Sequence, residues 1–145
     1  MDSLAPERDA KVRLLSGVPL FSSCAKHELR RIAGLVDEVE APKGKTLVRE
    51  GDQGAEFFVV VEGSATVTRR GRKVATVGPG SFFGELALLD QGPRAATVTA
   101  DTDMQLLVLS SRAFSAILYD MPSVSRGILR GMAKRLRSAE SAPTY

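Results

Sequence analysis

The run Phe57-Phe58-Val59-Val60-Val61 turns at Glu62-Gly63 into Ala65-Thr66-Val67-Thr68. It turns again at Arg70-Gly71-Arg72 into Val74-Ala75-Thr76-Val77 and breaks at Gly78-Pro79-Gly80. Each piece has strand length, is rich in β-branched residues and is bounded by glycine, so the stretch predicts successive strands joined by tight turns. Phe57 to Val61 is apolar throughout, as in a strand buried on both faces, whereas Ala65 to Thr68 alternates. Outward from this core, Thr46-Leu47-Val48 precedes Gly51 and Gly54, and Ala96 to Ala100 and Met104 to Leu109 follow. Several short strands at regular intervals, from about Leu35 to Ser110, indicate an antiparallel barrel or sandwich, and closure of the sheet would hide its edges.

Helical patterns flank the strands. From Pro6 to about Gly34, Ala10, Leu14, Leu15 and Val18 recur on one face, Gly17 and Pro19 punctuate the helix, and Leu29, Ile32 and Ala33 form a second stripe. Ser22-Ser23 offers capping hydroxyls to that second helix. After the strands, Ser111 is placed to cap a helix through Tyr119, and Pro122 suits the first turn of the next. Val124, Ile128, Leu129, Met132, Ala133 and Leu136 make an apolar stripe along the last helix. The expected fold is α+β, a single domain over residues 1–145. It comprises N-terminal helices (6–34), an antiparallel β-barrel of jelly-roll type (35–110) with a short helix inside it, and two C-terminal helices (111–138).

Composition bounds the function. The chain has 145 residues, 43% hydrophobic and 26% charged, which are ordinary values for a globular domain. Its longest aliphatic and aromatic run, Phe57 to Val61, is far below the roughly 20 residues of a membrane helix. The N-terminus lacks the basic-then-apolar pattern of a secretory signal, and Cys24 is the only cysteine, so a cytoplasmic location is expected. Net charge is +3. Five cations (Arg126, Arg130, Lys134, Arg135 and Arg137) lie between Val124 and Ser138 without an acid.

One segment breaks the strand pattern: Gly84-Glu85-Leu86-Ala87-Leu88-Leu89, then Asp90 to Gly92, then Pro93-Arg94-Ala95-Ala96-Thr97-Val98. Glu85 to Leu89 are good helix formers, which suits a single helical turn between strands. Such a turn aims unpaired backbone N–H groups outward, and Gly84 lets a ligand approach the main chain. Arg94 supplies a forked, charged donor for a phosphate, and an ionised Glu85 accepts from a hydroxyl. These features suggest an anionic ligand bearing hydroxyls; the alternative is that Glu85 and Arg94 pair with each other.

Phe83 to Leu89 followed by Pro93 to Val98 closely resembles the phosphate-binding cassette of cyclic-nucleotide-binding domains. That family includes regulatory subunits of cAMP-dependent protein kinase, cyclic-nucleotide-gated channels and bacterial catabolite activator proteins. The resemblance extends over nearly the whole chain, including the turns at Glu50-Gly51-Asp52 and Glu62-Gly63. It implies that Glu85 accepts from the ribose 2′-hydroxyl, Arg94 clamps the cyclic phosphate and Gly84 lets the ribose sit close. It further implies that backbone N–H groups of Leu86, Ala87 and Ala95 complete the cradle, with Ala96 beside them. Val67 and Val74 match the base pocket. In this family a hydroxyl residue after the arginine accompanies cGMP preference; Ala95 stands there, which implies cAMP as the ligand, with cGMP weaker.

Other chemistry is poorly supported. His27 is the only histidine, and Cys24 with His27 cannot make a structural zinc site, so no metal is expected. No Gly-x-Ser-x-Gly elbow is present, and no catalysis is expected. The basic last helix has three readings: a lid over the base through Arg130 or Lys134, a solvated cationic face, or nucleic-acid binding. Nucleic acid is disfavoured, because catabolite activator proteins carry their helix-turn-helix beyond the point where this sequence reaches Tyr145. Tyr145 itself could stack on adenine. The expected partner is an unidentified effector protein, with no membrane contact. The alternative is an interaction module that works mainly through its basic helix, on an acidic protein or nucleic acid.

Overall fold

β3 (Glu56–Glu62) and β8 (Met104–Ser110) run antiparallel with Phe58 opposite Val108. Their alternating side chains are buried on both sides: Phe57, Val59, Leu107 and Leu109 face a helical layer, whereas Phe58, Val60, Leu106 and Val108 face a second sheet. That double burial is why these strands read as continuous apolar runs. In this computed structural model, which describes residues 5–89 and 92–138 except for the side chains of residues 5–8, 86, 87 and 138, the pair is flanked by β1 (Asp37–Ala41) and β6 (Phe82–Phe83), giving the order β1-β8-β3-β6. The facing sheet has the order β2-β7-β4-β5, formed by β2 (Thr46–Val48), β7 (Thr97–Ala100), β4 (Ala65–Arg69) and β5 (Arg72–Val77). In β7 the half-buried Thr97 and Thr99 alternate with the buried Val98 and Ala100, the pattern of a sheet buried on one face.

The expected jelly-roll architecture is present, as two facing four-stranded sheets rather than one closed barrel. β1 is an edge strand with four of its five residues exposed, three of them acids, and such charges discourage pairing with another chain. Its polar sequence is also why the strand carries no clear apolar signal.

α1 (Ala5–Ser16), a 3-10 turn (Pro19–Phe21), α2 (Lys26–Ala33), α4 (Ser111–Asp120) and α5 (Pro122–Ser138) cover the outer face of β3 and β8. Leu15, Phe21, Ile32, Phe114, Ile117 and Ile128 meet Phe57 and Leu109 there. Two caps differ from expectation. Ser22 bonds back to the Pro19 carbonyl, and α2 begins instead with the Glu28 carboxylate accepting from the Ala25 N–H at 2.8 Å. Ser110, not Ser111, caps α4, accepting from the Ala113 N–H at 3.1 Å. The single apolar stripe expected on α5 splits in two. Val124 and Ile128 are buried and Met132 packs beside them, whereas Leu129, Ala133 and Leu136 are exposed. No helix of the described residues is long and apolar enough to cross a membrane.

Candidate functional site

Between β6 and β7 the chain leaves the sheets, and there it buries two charges, Glu85 at 0% and Arg94 at 6% exposure. Enclosing an ion without full compensation costs several kcal/mol. A fold that keeps two of them has a use for them or a close partner for each.

Gly84 follows β6 with φ +96°, a left-handed conformation that reverses the chain into α3 (Glu85–Leu89). Glu85 therefore points inward at the start of the turn. Its Oε1 accepts from Arg135 Nη1 of α5 at 2.9 Å, and its Oε2 is buried with no hydrogen-bond partner among the described residues. Burial pushes the Glu85 carboxyl above the usual carboxylate range; the Arg135 charge is the strongest force pulling it back, followed by its own backbone N–H and, more weakly, Arg94.

Arg135 is gripped from three sides. It donates to Glu85 and to the Phe82 carbonyl, and its guanidinium lies 4.5 Å from the centre of the Phe82 ring. The helix can come this close because Gly131, one turn earlier, sits against the same ring: a Cβ there would stand 2.6 Å from Phe82 Cε2 and Cζ. In the sequence Arg135 is one of five cations along the last helix. The signal was present, since Val124, Ile128, Gly131 and Arg135 form one helical row whose first two members are buried.

Arg94 is held by the β2–β3 connection. Gly51 donates to its carbonyl at 2.9 Å, its own N–H donates to the Asp52 carbonyl at 2.8 Å, and Gln53 bridges Pro93. Its side chain lies over Gly54, where any Cβ would overlap Nε and Cζ, and it reaches past Gly84, where a Cβ would stand 2.7 Å from Nη1. Its Nη1 donates to the Gly84 carbonyl at 3.2 Å, and the guanidinium lies 5.9 Å from the Phe58 ring. Burial lowers the Arg94 pKa, with Glu56 and then Glu85 opposing, and a guanidinium stays charged throughout. Gly54→Ala is expected to displace the guanidinium with little other strain, because Gly54 does not occupy the left-handed region. Ligand affinity should fall about tenfold or more while the melting temperature changes little, which a paired titration and thermal melt would check.

Glu85 and Arg94 do not pair with each other: each has its own partner. Ala95 is half-buried and Ala96 is buried beside Arg94. Leu86 and Ala87 lie in α3, but their side chains, like residues 90–91 and Tyr145, are outside the described residues. Val67 is buried in the inter-sheet cluster and Val74 packs against it from the adjacent strand. Arg130 and Lys134 are exposed, so α5 meets the cassette through Arg135 instead. A cleft of about 330 Å³ opens beside Arg94, lined by β2 and by Asp52, Gln53 and Glu56. A larger cleft of about 580 Å³ at Glu40, Glu62 and Asp103 carries acids and no cation, which suits an anion poorly.

The comparisons with known proteins agree with this layout. The family model for the cyclic nucleotide-binding domain matches residues 38–120. A cAMP-dependent protein kinase regulatory subunit of Aspergillus niger is 36% identical over 128 residues, 87% of this chain and 31% of the relative. The cyclic AMP receptor protein of Thermus thermophilus is 32% identical over 131 residues, 87% of this chain and 61% of the relative. The structure is similar to that of the regulatory domain of Toxoplasma gondii PKA with cAMP, at TM-score 0.79 and 27% identity, covering 89% of this chain and 51% of that one. The chain thus spans about a third of the kinase subunit and under two-thirds of the receptor protein. With the match covering the strands, the cassette and α4, the chain belongs to the cyclic nucleotide-binding domain family.

Proposed function

We propose that the chain binds cAMP in preference to cGMP and passes the binding event to an effector protein through α5, without catalysing a reaction and without a metal. The observation that carries this reading is the Glu85 Oε2, buried and without a partner among the described residues, on a carboxylate whose other oxygen is taken. A buried acceptor without a donor is costly, and a ligand hydroxyl satisfies it. Arg94, whose guanidinium donates one hydrogen bond among the described residues, keeps further donors for a phosphate. The cyclic AMP receptor protein and the kinase regulatory subunits named above support cAMP as the nucleotide, as does the absence of a hydroxyl at Ala95.

In this reading Glu85 takes the ribose 2′-hydroxyl, Arg94 the cyclic phosphate, the main chain at Gly84, Leu86, Ala87 and Ala95 the rest of the cradle with Ala96 beside it, and Val67 and Val74 the base. Because Glu85 also holds Arg135, ligand and helix share one carboxylate, and the position of α5 responds to occupancy. The response is limited to the ligand's differential affinity for the two helix positions. In this reading residues 1–145 act as one cytoplasmic sensing domain.

The test is competition between cAMP, 2′-deoxy-cAMP and cGMP for the purified chain. Removing the 2′-hydroxyl should weaken binding by about 10- to 150-fold, the equivalent of roughly 1.5–3 kcal/mol for a hydrogen bond to a charged group. cGMP should bind more weakly than cAMP. Equal affinity for the deoxy analogue would remove Glu85 from the ribose, and cGMP binding as tight as cAMP would overturn the choice of base.

A further inference from the structure

The face of α5 opposite the cassette has the spacing of a coiled-coil seam. Leu129, Ala133 and Leu136 stand at i, i+4 and i+7, each exposed, the two leucines at 63%. Assigning Leu129 and Leu136 to heptad positions d makes Ala133 an a position and Arg126 the a position before it, while Arg130 and Arg137 occupy the flanking e positions. The buried residues Val124 and Ile128, with Gly131 and Arg135, fall on the other side of the helix, so the seam is separate from the contacts that hold α5 down. Two large apolar side chains at this period give the exposed face a stripe that a partner helix can bury.

The charges choose the occupant. In a parallel pair of two copies, Arg126 would meet its own counterpart at position a. In an antiparallel pair, arginines at e would oppose arginines at e. A second copy is therefore repelled at the positions that set partner choice. A helix carrying leucine at a and d with glutamate at its flanking positions meets none of these conflicts. We propose that the exposed face of α5 docks an acidic amphipathic helix of a partner protein, whose carboxylates pair with Arg130 and Arg137 around a core of Leu129, Ala133 and Leu136. The surface lies on α5 alone and does not require an occupied cassette.

The probe is a synthetic helix of about four heptads with leucine at a and d and glutamate at e and g, which keeps it from pairing with itself. Fluorescence anisotropy with the full chain, without nucleotide, should show saturable binding that weakens as salt is raised. Leu129→Glu with Leu136→Glu, at exposed positions that leave the core intact, should weaken it about tenfold or more. Arg130→Glu with Arg137→Glu should transfer preference to the lysine counterpart of the peptide. Absence of binding, or equal binding of glutamate and lysine peptides by the wild-type chain, would overturn the proposal. So would a dimer in sedimentation that Leu129→Glu with Leu136→Glu dissociates, because the seam would then belong to a second copy. Because no nucleotide is present, any of these failures leaves the cAMP reading untouched.

Discussion

Arg94→Ala is expected to weaken cAMP binding by roughly 30- to several-thousand-fold, the equivalent of about 2–5 kcal/mol for stripping one partner from a buried charge pair. In the proposed complex the cyclic phosphate would bring a full negative charge to Arg94, which is 6% exposed. Without it the phosphate is left among dipoles alone, and desolvation is no longer offset. Stability should move the other way or stay level. In the free protein Arg94 is an enclosed cation with a 3.2 Å bond to a carbonyl, so its removal relieves a desolvation cost that offsets the space it vacates over Gly54. A melting temperature near the wild-type value with binding lost is therefore the expected pair of results. Binding retained within a few-fold would exclude Arg94 as the phosphate clamp.

The second large effect is expected at Arg135. Arg135→Met keeps most of the stem over Phe82 and removes the charge, leaving the Glu85 carboxylate fully buried with no cation bonded to it. Breaking a buried pair from one side typically costs about 3–5 kcal/mol if the remaining ion stays charged. Protonation of Glu85 is the escape. Burial already holds its pKa above the ordinary range and Arg135 is the main force opposing that, so the variant raises it further. A raised folded value means that the folded protein holds this proton more tightly than the unfolded chain. The carboxyl's contribution to stability is therefore complete at acid pH, below its ordinary value, and is lost as pH rises through the raised one. Wild-type and Arg135→Met melting temperatures should lie close together at acid pH and separate towards neutral pH. Parallel curves across that range would show that Arg135 does not hold the Glu85 charge. The same variant frees α5 from the cassette, so amide exchange in α5 should quicken in wild-type buffer.

Much of the fold was legible because its strands sort cleanly by burial. Phe57 to Val61 and Leu106 to Leu109 are apolar on both faces since their sheet lies between helices and a second sheet, and those runs are visible without coordinates. β1 was not legible, because an edge strand needs no apolar period and this one is defended by acids. The cassette was legible because its two charges, its glycine and its helix-forming turn are contiguous. The pairing of Glu85 was not: its partner lies 50 residues away, and one of five cations on a helix declares itself only when the buried row of that helix is known. The role of Gly54 was hidden for the same reason, since the atoms that exclude a Cβ belong to Arg94, far along the chain. Likewise the apolar stripe of α5 contained two faces, and only packing separates Val124 and Ile128 from Leu129 and Leu136.

The central claim is that the cassette around Glu85 and Arg94 binds cAMP, and calorimetric titration of the folded chain, stripped of any co-purified nucleotide, tests it most directly. Saturable binding of cAMP at one site, absent in Arg94→Ala, is the predicted result. A folded, nucleotide-free chain that takes up no cAMP would contradict it.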